Sequence, residues 1–125
     1  MSQNPSIITE LPSLKAFSDL LAANQGLIII KFGAEWCGPC KKIEGLVNEW
    51  FHKISPTVQC IKIDIDEHLD VYAFLKNKRV LNGIPAILSY VKGNTHYGPN
   101  DLVVGSDVNQ INAFFNRSLL TLSRL

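Results

Sequence analysis

The sequence predicts one α/β domain over residues 1–125, with helices on both faces of a sheet and the element order βαβαβαββα. Three observations predict it. The run Leu27-Ile28-Ile29-Ile30 is apolar without alternation, as in a strand buried on both faces. Segments with apolar residues three and four apart are interleaved with shorter apolar or alternating runs. Between the first strand-like run and the longest helical segment stands Trp36-Cys37-Gly38-Pro39-Cys40-Lys41.

Taken in order, Pro5-Ser6-Ile7-Ile8-Thr9 reads as a short strand. Pro12 and Ser13 open a helix with Leu14, Phe17, Leu20 and Leu21 on one face, stopped by Asn24-Gln25-Gly26. Leu27 to Phe32 is the buried strand. The helix after the cysteines carries Ile43, Leu46, Val47, Trp50 and Phe51 and ends near Ser55-Pro56. Val58 to Asp66 is a strand with Ile61, Ile63 and Ile65 on one face. Residues 68 to 78 have a helical rhythm through Leu69, Tyr72, Ala73 and Leu75, closed by Lys76, Lys78 and Arg79 at the end that a helix dipole favours for cations. Ile84 to Val91 is a strand entered through Pro85. A turn at Lys92-Gly93-Asn94 leads to Thr95-His96-Tyr97 as the start of a hairpin partner, interrupted by Gly98–Asp101 before Leu102-Val103-Val104-Gly105. Ser106 or Asp107 caps a last helix with Val108, Ile111, Phe114, Phe115, Leu119 and Leu120.

A chain of 125 residues can bury a hydrophobic core without staples, and 46% of this one is hydrophobic. A net charge of +1 gives no reason to expect nucleic acid or an anionic membrane as partner. No apolar stretch approaches the roughly 20 residues needed to span a bilayer. Met1 to Pro5 lacks a basic region followed by an apolar one, so no secretory signal is expected as written. Three cysteines, an odd number, argue against a framework of structural disulfides. The expectation is a reducing compartment, the cytoplasm, and a transient Cys37–Cys40 bond.

Two cysteines separated by two residues supply half a zinc site or form a redox pair. Zinc takes four ligands; only Cys60 and the scattered His52, His68 and His96 remain, and no second pair exists. Pro39 is best tolerated in a first turn, so the helix should begin near Cys37 or Gly38. Cys37 would then stand at a helix N-terminus, whose unpaired N–H groups and dipole favour a thiolate. Cys40, one turn inside and shielded, could attack a mixed disulfide formed on the exposed Cys37. Cys60 reads as a small buried hydrophobe and Trp50 as core.

Phe32 followed by Ala34-Glu35-Trp36-Cys37-Gly38-Pro39-Cys40-Lys41 resembles the active-site stretch of the thioredoxin family. Gly83-Ile84-Pro85 is similar to its cis-proline loop, and Val104-Gly105 resembles the third loop beside its active site. The resemblance in element order runs from about Ile7 to about Leu120. It implies a thioredoxin fold, with a central mixed sheet flanked by helices on both faces. It also implies a protein-disulfide reductase, with Cys37 as nucleophile and Cys40 resolving the mixed disulfide. Trp36, Gly38 and Pro39 would form the active-site loop, while Trp36, Ile84, Pro85, Val104 and Gly105 would bind an extended substrate segment. No cofactor or metal beyond the cysteine pair is expected. The implied partners are disulfide-containing proteins and an electron donor of the thioredoxin-reductase type, with the chain itself a monomer.

The chain departs from the family pattern at two positions. Where the family typically has a buried aspartate just before the strand-end phenylalanine, this chain has Lys31, and Lys62 matches a lysine that usually accompanies that aspartate. Two buried lysines without an acid are costly, and Glu44 and Asp64 are the nearest candidate partners. Lys31 and Lys62 are therefore candidate modulators of the sulfur pKa values, Lys31 by stabilising a Cys40 thiolate; the alternative is a snorkelling lysine without effect. Gly33 replaces a common aromatic and is expected to open space beside Trp36. A binding module on the same fold, acting mainly by gripping a partner, is the alternative to the reductase.

Overall fold

Strand β1 (Leu27–Gly33) runs through the middle of the molecule with all seven residues buried. It pairs in parallel with β2 (Val58–Asp64) and antiparallel with β3 (Ala86–Val91), which pairs antiparallel with β4 (Asp101–Val104). The sheet order is β2-β1-β3-β4. The structure, a computed structural model, describes residues 7–54 and 58–125. Pro5, Ser6 and the expected helix end at Ser55-Pro56 lie outside the described residues.

Successive side chains of a strand point to opposite faces, and this alternation divides the core. Ile28, Ile30 and Phe32 pack with Phe17 and Leu21 of α1 (Leu14–Ala22) and with Val71 and Leu75 of α3 (Leu69–Asn77). Leu27 and Ile29 pack with Ile43, Val47 and Phe51 of α2 (Gly38–Lys53) and with Ile111, Phe114 and Phe115 of α4 (Val108–Ser123). The fold is thus a mixed sheet with two helices on each face. Burying each of these large apolar side chains contributes about 1.5–3 kcal/mol. The same alternation turns Lys31 toward α2, and its register partner Lys62 shares that face.

Local chemistry sets the element ends. The Ser13 hydroxyl caps α1 by accepting from the Ala16 N–H at 3.0 Å, and Asp107, not Ser106, caps α4 by accepting from the Gln110 N–H at 3.0 Å. Losing such a cap costs about 1 kcal/mol. Helix α3 stops where Arg79 takes φ 61°, with the Val80 N–H donating to the Leu75 carbonyl and the Arg79 N–H to that of Lys76.

The first expected strand is present as one bridging residue: Ile8 pairs with Ile61, its N–H donating to the Cys60 carbonyl and its carbonyl accepting from the Lys62 N–H. β2 ends at Asp64, and Ile65–Glu67 forms a 3-10 turn. Thr95-His96-Tyr97 is not a hairpin strand. Side chains take backbone groups in and around it: Asn94 Oδ1 accepts from the His96 N–H, His96 Nδ1 from the Gly98 N–H, and Asn100 Oδ1 from the Val91 N–H. Leu14, Leu69, Val108, Leu119 and Leu120, expected on apolar faces, are exposed. Helix α4 buries Ile111, Phe114, Phe115 and Ser118, a narrower stripe than its apolar composition implies. Trp50 is half-buried, stacked on Phe115 with centroids 5.0 Å apart and donating to Asn112 Oδ1 at 2.8 Å, which ties α2 to α4.

Cys60 lies in the core under α2 and α4, 5% exposed, and burial pushes its thiol up to about 12. The native protein with its other two sulfurs oxidised should therefore take up no iodoacetamide at pH 8. Denaturant should expose one reactive thiol. Rapid labelling of Cys60 in the native state would contradict this placement.

Candidate active site

Helix α2 starts at Gly38 with Pro39 in its first turn, and Cys37 is the N-cap. Proline fits there because its missing N–H removes a donor that would be unpaired anyway. The Cys37 sulfur accepts from the Cys40 N–H at 3.2 Å, so it occupies the place a capping oxygen usually takes. Cys37 and Cys40 are joined as a disulfide, with Cα atoms 5.2 Å apart. When that bond opens, negative charge on Cys37 faces the unpaired N–H groups and positive dipole end of α2. The expected contrast in exposure is absent in the oxidised pair: Cys37 is 5% and Cys40 4% exposed, while Gly38 and Pro39 between them are exposed.

Strand register collects three loops at this end of the sheet. Phe32 pairs with Ala86, and Ala86 with Val104, so the residues after β1, before β3 and after β4 emerge side by side. Trp36, 68% exposed, donates from Nε1 to Asp66 Oδ2 at 2.7 Å. Asp66 stands on the 3-10 turn after β2, its N–H donating to Asp64 Oδ1 at 2.8 Å. Sequence reasoning missed Asp66, since nothing in a surface Asp-Ile-Asp run marks a tryptophan partner thirty residues away. The Ile84-Pro85 bond is cis, and the Pro85 carbonyl accepts from the Gly105 N–H at 2.8 Å, joining the second loop to the third. Gly105 has φ 100°, a region that favours glycine. Ile84 is half-buried and Val104 exposed, so the rim around the disulfide is partly apolar.

Behind the disulfide opens a cleft of about 570 Å³ that Cys40, Gly33, Lys31 and Lys62 help to line. Helix α2 covers this side with Cys40, Glu44 and Asn48, residues four apart and therefore on one face. Lys62 donates from Nζ to Asn48 Oδ1 at 2.6 Å. Lys31 is 7% exposed, and burial lowers its pKa; the Glu44 carboxylate opposes that shift and the Lys62 ammonium adds to it. Glu44 is thus the acid that faces Lys31. Asp64, the other expected partner, is occupied in capping the 3-10 turn. Gly33 opens space on the sulfur side rather than beside Trp36: a Cβ there would stand 3.3 Å from Cys40 Sγ and 3.9 Å from Lys31 Cε.

Among the described residues no group of three or more His, Cys, Asp or Glu side chains could hold a metal ion. His68 is buried, with Nδ1 2.8 Å from the Asp64 carbonyl oxygen and Nε2 3.0 Å from Glu10 Oε2. His96 is committed to the loop between β3 and β4.

The family model described as Thioredoxin matches residues 9–117. The chain is 36% identical over 90 residues to a thioredoxin of Mycoplasma pneumoniae, covering 70% of this chain and 79% of that one. It is 39% identical over 93 residues to a putative thioredoxin-4 of Dictyostelium discoideum, covering 72% and 74%. Among solved structures it is similar to Trichomonas vaginalis thioredoxin, with a TM-score of 0.68 and 25% identity over 90% of this chain and 96% of that one.

Because burial holds the Lys31 pKa below its ordinary 10.5, the unfolded chain binds that proton more tightly than the native protein does. Native stability therefore rises with pH through the window between the lowered pKa and 10.5. Lys31→Met is expected to raise the thermal midpoint at pH 7, and the gain should shrink as pH climbs toward 10.5. A parent and variant that melt together at pH 7 would show that the lysine carries no such penalty.

Proposed function

This chain belongs to the thioredoxin family and is a thiol–disulfide oxidoreductase, and we propose that it serves as a general reductase of protein disulfides in the cytoplasm. The observation that carries the reading is the cysteine pair built into the first turn of α2, one sulfur capping the helix and the other bonded to it.

In the reduced protein the Cys37 thiolate attacks one sulfur of a substrate disulfide. A Cys37–substrate bond forms, and the other substrate sulfur leaves with the electron pair and takes a proton. Cys40, as thiolate, then attacks Cys37 Sγ. The second substrate sulfur leaves and is protonated, and the Cys37–Cys40 bond is remade. Two electrons and two protons have passed to the substrate. The loops carrying Trp36, Ile84-Pro85 and Val104-Gly105 receive the substrate strand, with Asp66 fixing the indole edge. The cycle closes when a reductase of the thioredoxin-reductase type returns two electrons. Cys60, kept as a buried free thiol, supports a reducing compartment, and the chain works as a monomer.

A binding module with idle cysteines is not favoured, since the pair is already joined and stands at the meeting point of the three loops. The test is insulin reduction with excess dithiothreitol. Cys37→Ser should fall to the uncatalysed background, and Cys40→Ser should accumulate a mixed disulfide with the substrate through Cys37. Undiminished turnover by Cys37→Ser would remove the proposed nucleophile.

A further inference from the structure

Lys31 is a charged side chain trapped in the central strand, and the exchange reaction as described does not use it. It is 7% exposed and has no hydrogen-bond or ion-pair partner among the described residues, while no buried polar side-chain atom there lacks a partner. Its Nζ therefore reaches solvent, and the opening available is the cleft behind the disulfide that Lys31 and Cys40 both line. Its stem and the Cys40 sulfur flank the same glycine: a Cβ at Gly33 would stand 3.9 Å from Lys31 Cε and 3.3 Å from Cys40 Sγ.

We propose that Lys31 is a positioning residue for the second cysteine: its ammonium, held in the cleft behind the disulfide, stabilises the Cys40 thiolate whenever that sulfur attacks or leaves. This rests on the Cys37–Cys40 exchange reaction.

The other charges around the cleft leave this role to Lys31. From α2, Glu44 faces Lys31 itself, and Lys41 stands on the rim. Lys62 on β2 is held by Asn48, and the Asp64 carboxylate is held by the Asp66 N–H. Glu35, after β1, is exposed, as is Glu67 of the 3-10 turn, and water screens their charge. Lys31 and Cys40 are 7% and 4% exposed and line one cleft, where an opposite charge favours the ionised sulfur.

The charge would act in both directions of the cycle. In resolution, a larger thiolate fraction on Cys40 speeds its attack on Cys37 Sγ. In re-reduction, a dithiol donor attacks Cys37 Sγ, the Cys37–Cys40 bond breaks, and the electron pair leaves on Cys40 beside the ammonium; the sulfur then takes a proton from solvent in the cleft. A stabilised leaving thiolate eases that step and favours the reduced form, so the pair becomes a weaker reductant than one without the lysine. Burial lowers the Lys31 pKa, so the effect fades with rising pH as the lysine deprotonates below its ordinary 10.5.

The experiment follows the thiolate absorbance of Cys40 against pH in the Cys37→Ser background, where Cys60 stays silent because burial pushes its thiol up to about 12. Adding Lys31→Met should move the Cys40 midpoint to higher pH and cut its thiolate fraction at pH 7 by about threefold to tenfold. Lys31→Asp should move it further in the same direction. With both cysteines present, re-reduction of Lys31→Met by dithiothreitol should slow, and the gap should narrow as pH rises. A Cys40 midpoint unchanged by Lys31→Met overturns the proposal. Failure of the parent protein to reduce insulin would sink the reductase reading instead, and the Cys40 titration would still report on the lysine.

Discussion

Everything in this molecule depends on β1 being covered on both faces along its whole length. A strand in that position cannot adjust to its neighbours without opening both halves of the core, so its register against β2 and β3 is fixed. Its last residues then decide where the chain turns into α2 and which side chains lie beneath that helix. Phe32 enters the α1 and α3 half of the core, whereas Lys31 and Gly33 face α2. The disulfide, the cleft behind it and the three loops around it all inherit their places from that one register.

The cysteine pair serves the fold and the chemistry with the same atoms. Cys37 caps α2 through its sulfur, so the group that must carry negative charge during exchange already faces the helix N–H groups. Gly38 and Pro39 leave the first turn exposed above a bond that is itself covered. The loops bearing Pro85 and Gly105 are tied to one another by a main-chain hydrogen bond, and the indole of Trp36 is tied to Asp66. The rim around the disulfide is therefore held by the protein's own hydrogen bonds.

Lys31 is the costly residue in this arrangement. Burial works against its charge, Glu44 offsets part of that, and Lys62 adds to it while its own ammonium is held by Asn48. Cys40, Glu44 and Asn48 form one stripe of α2 laid over the two lysines, so helix periodicity and strand register together place a sulfur, a carboxylate and two ammonium groups in one space. The sulfur that shares this cleft with the lysine is that of Cys40.

Much of this was legible in the chain. The unbroken apolar run marked the central strand, the Pro39 position marked the start of α2, and Trp36 to Lys41 marked the redox pair and its family. Local signals of these kinds survive folding because each is decided within a turn or a strand. The expected hairpin strand at Thr95–Tyr97 did not form, since Asn94, His96 and Asn100 side chains satisfy the backbone there in a way residue-by-residue propensity does not register. The apolar face of α4 proved narrower than its composition, because only the stripe through Ile111, Phe114, Phe115 and Ser118 meets the sheet. Sequence alone determined the order of elements from α1 onward and the two sulfurs. Tertiary structure decided that Glu44 rather than Asp64 faces Lys31, that Asp66 holds Trp36, and that Gly33 opens toward Cys40. Those pairings are set by sheet register and helix phase, which bring together residues that no spacing along the chain connects.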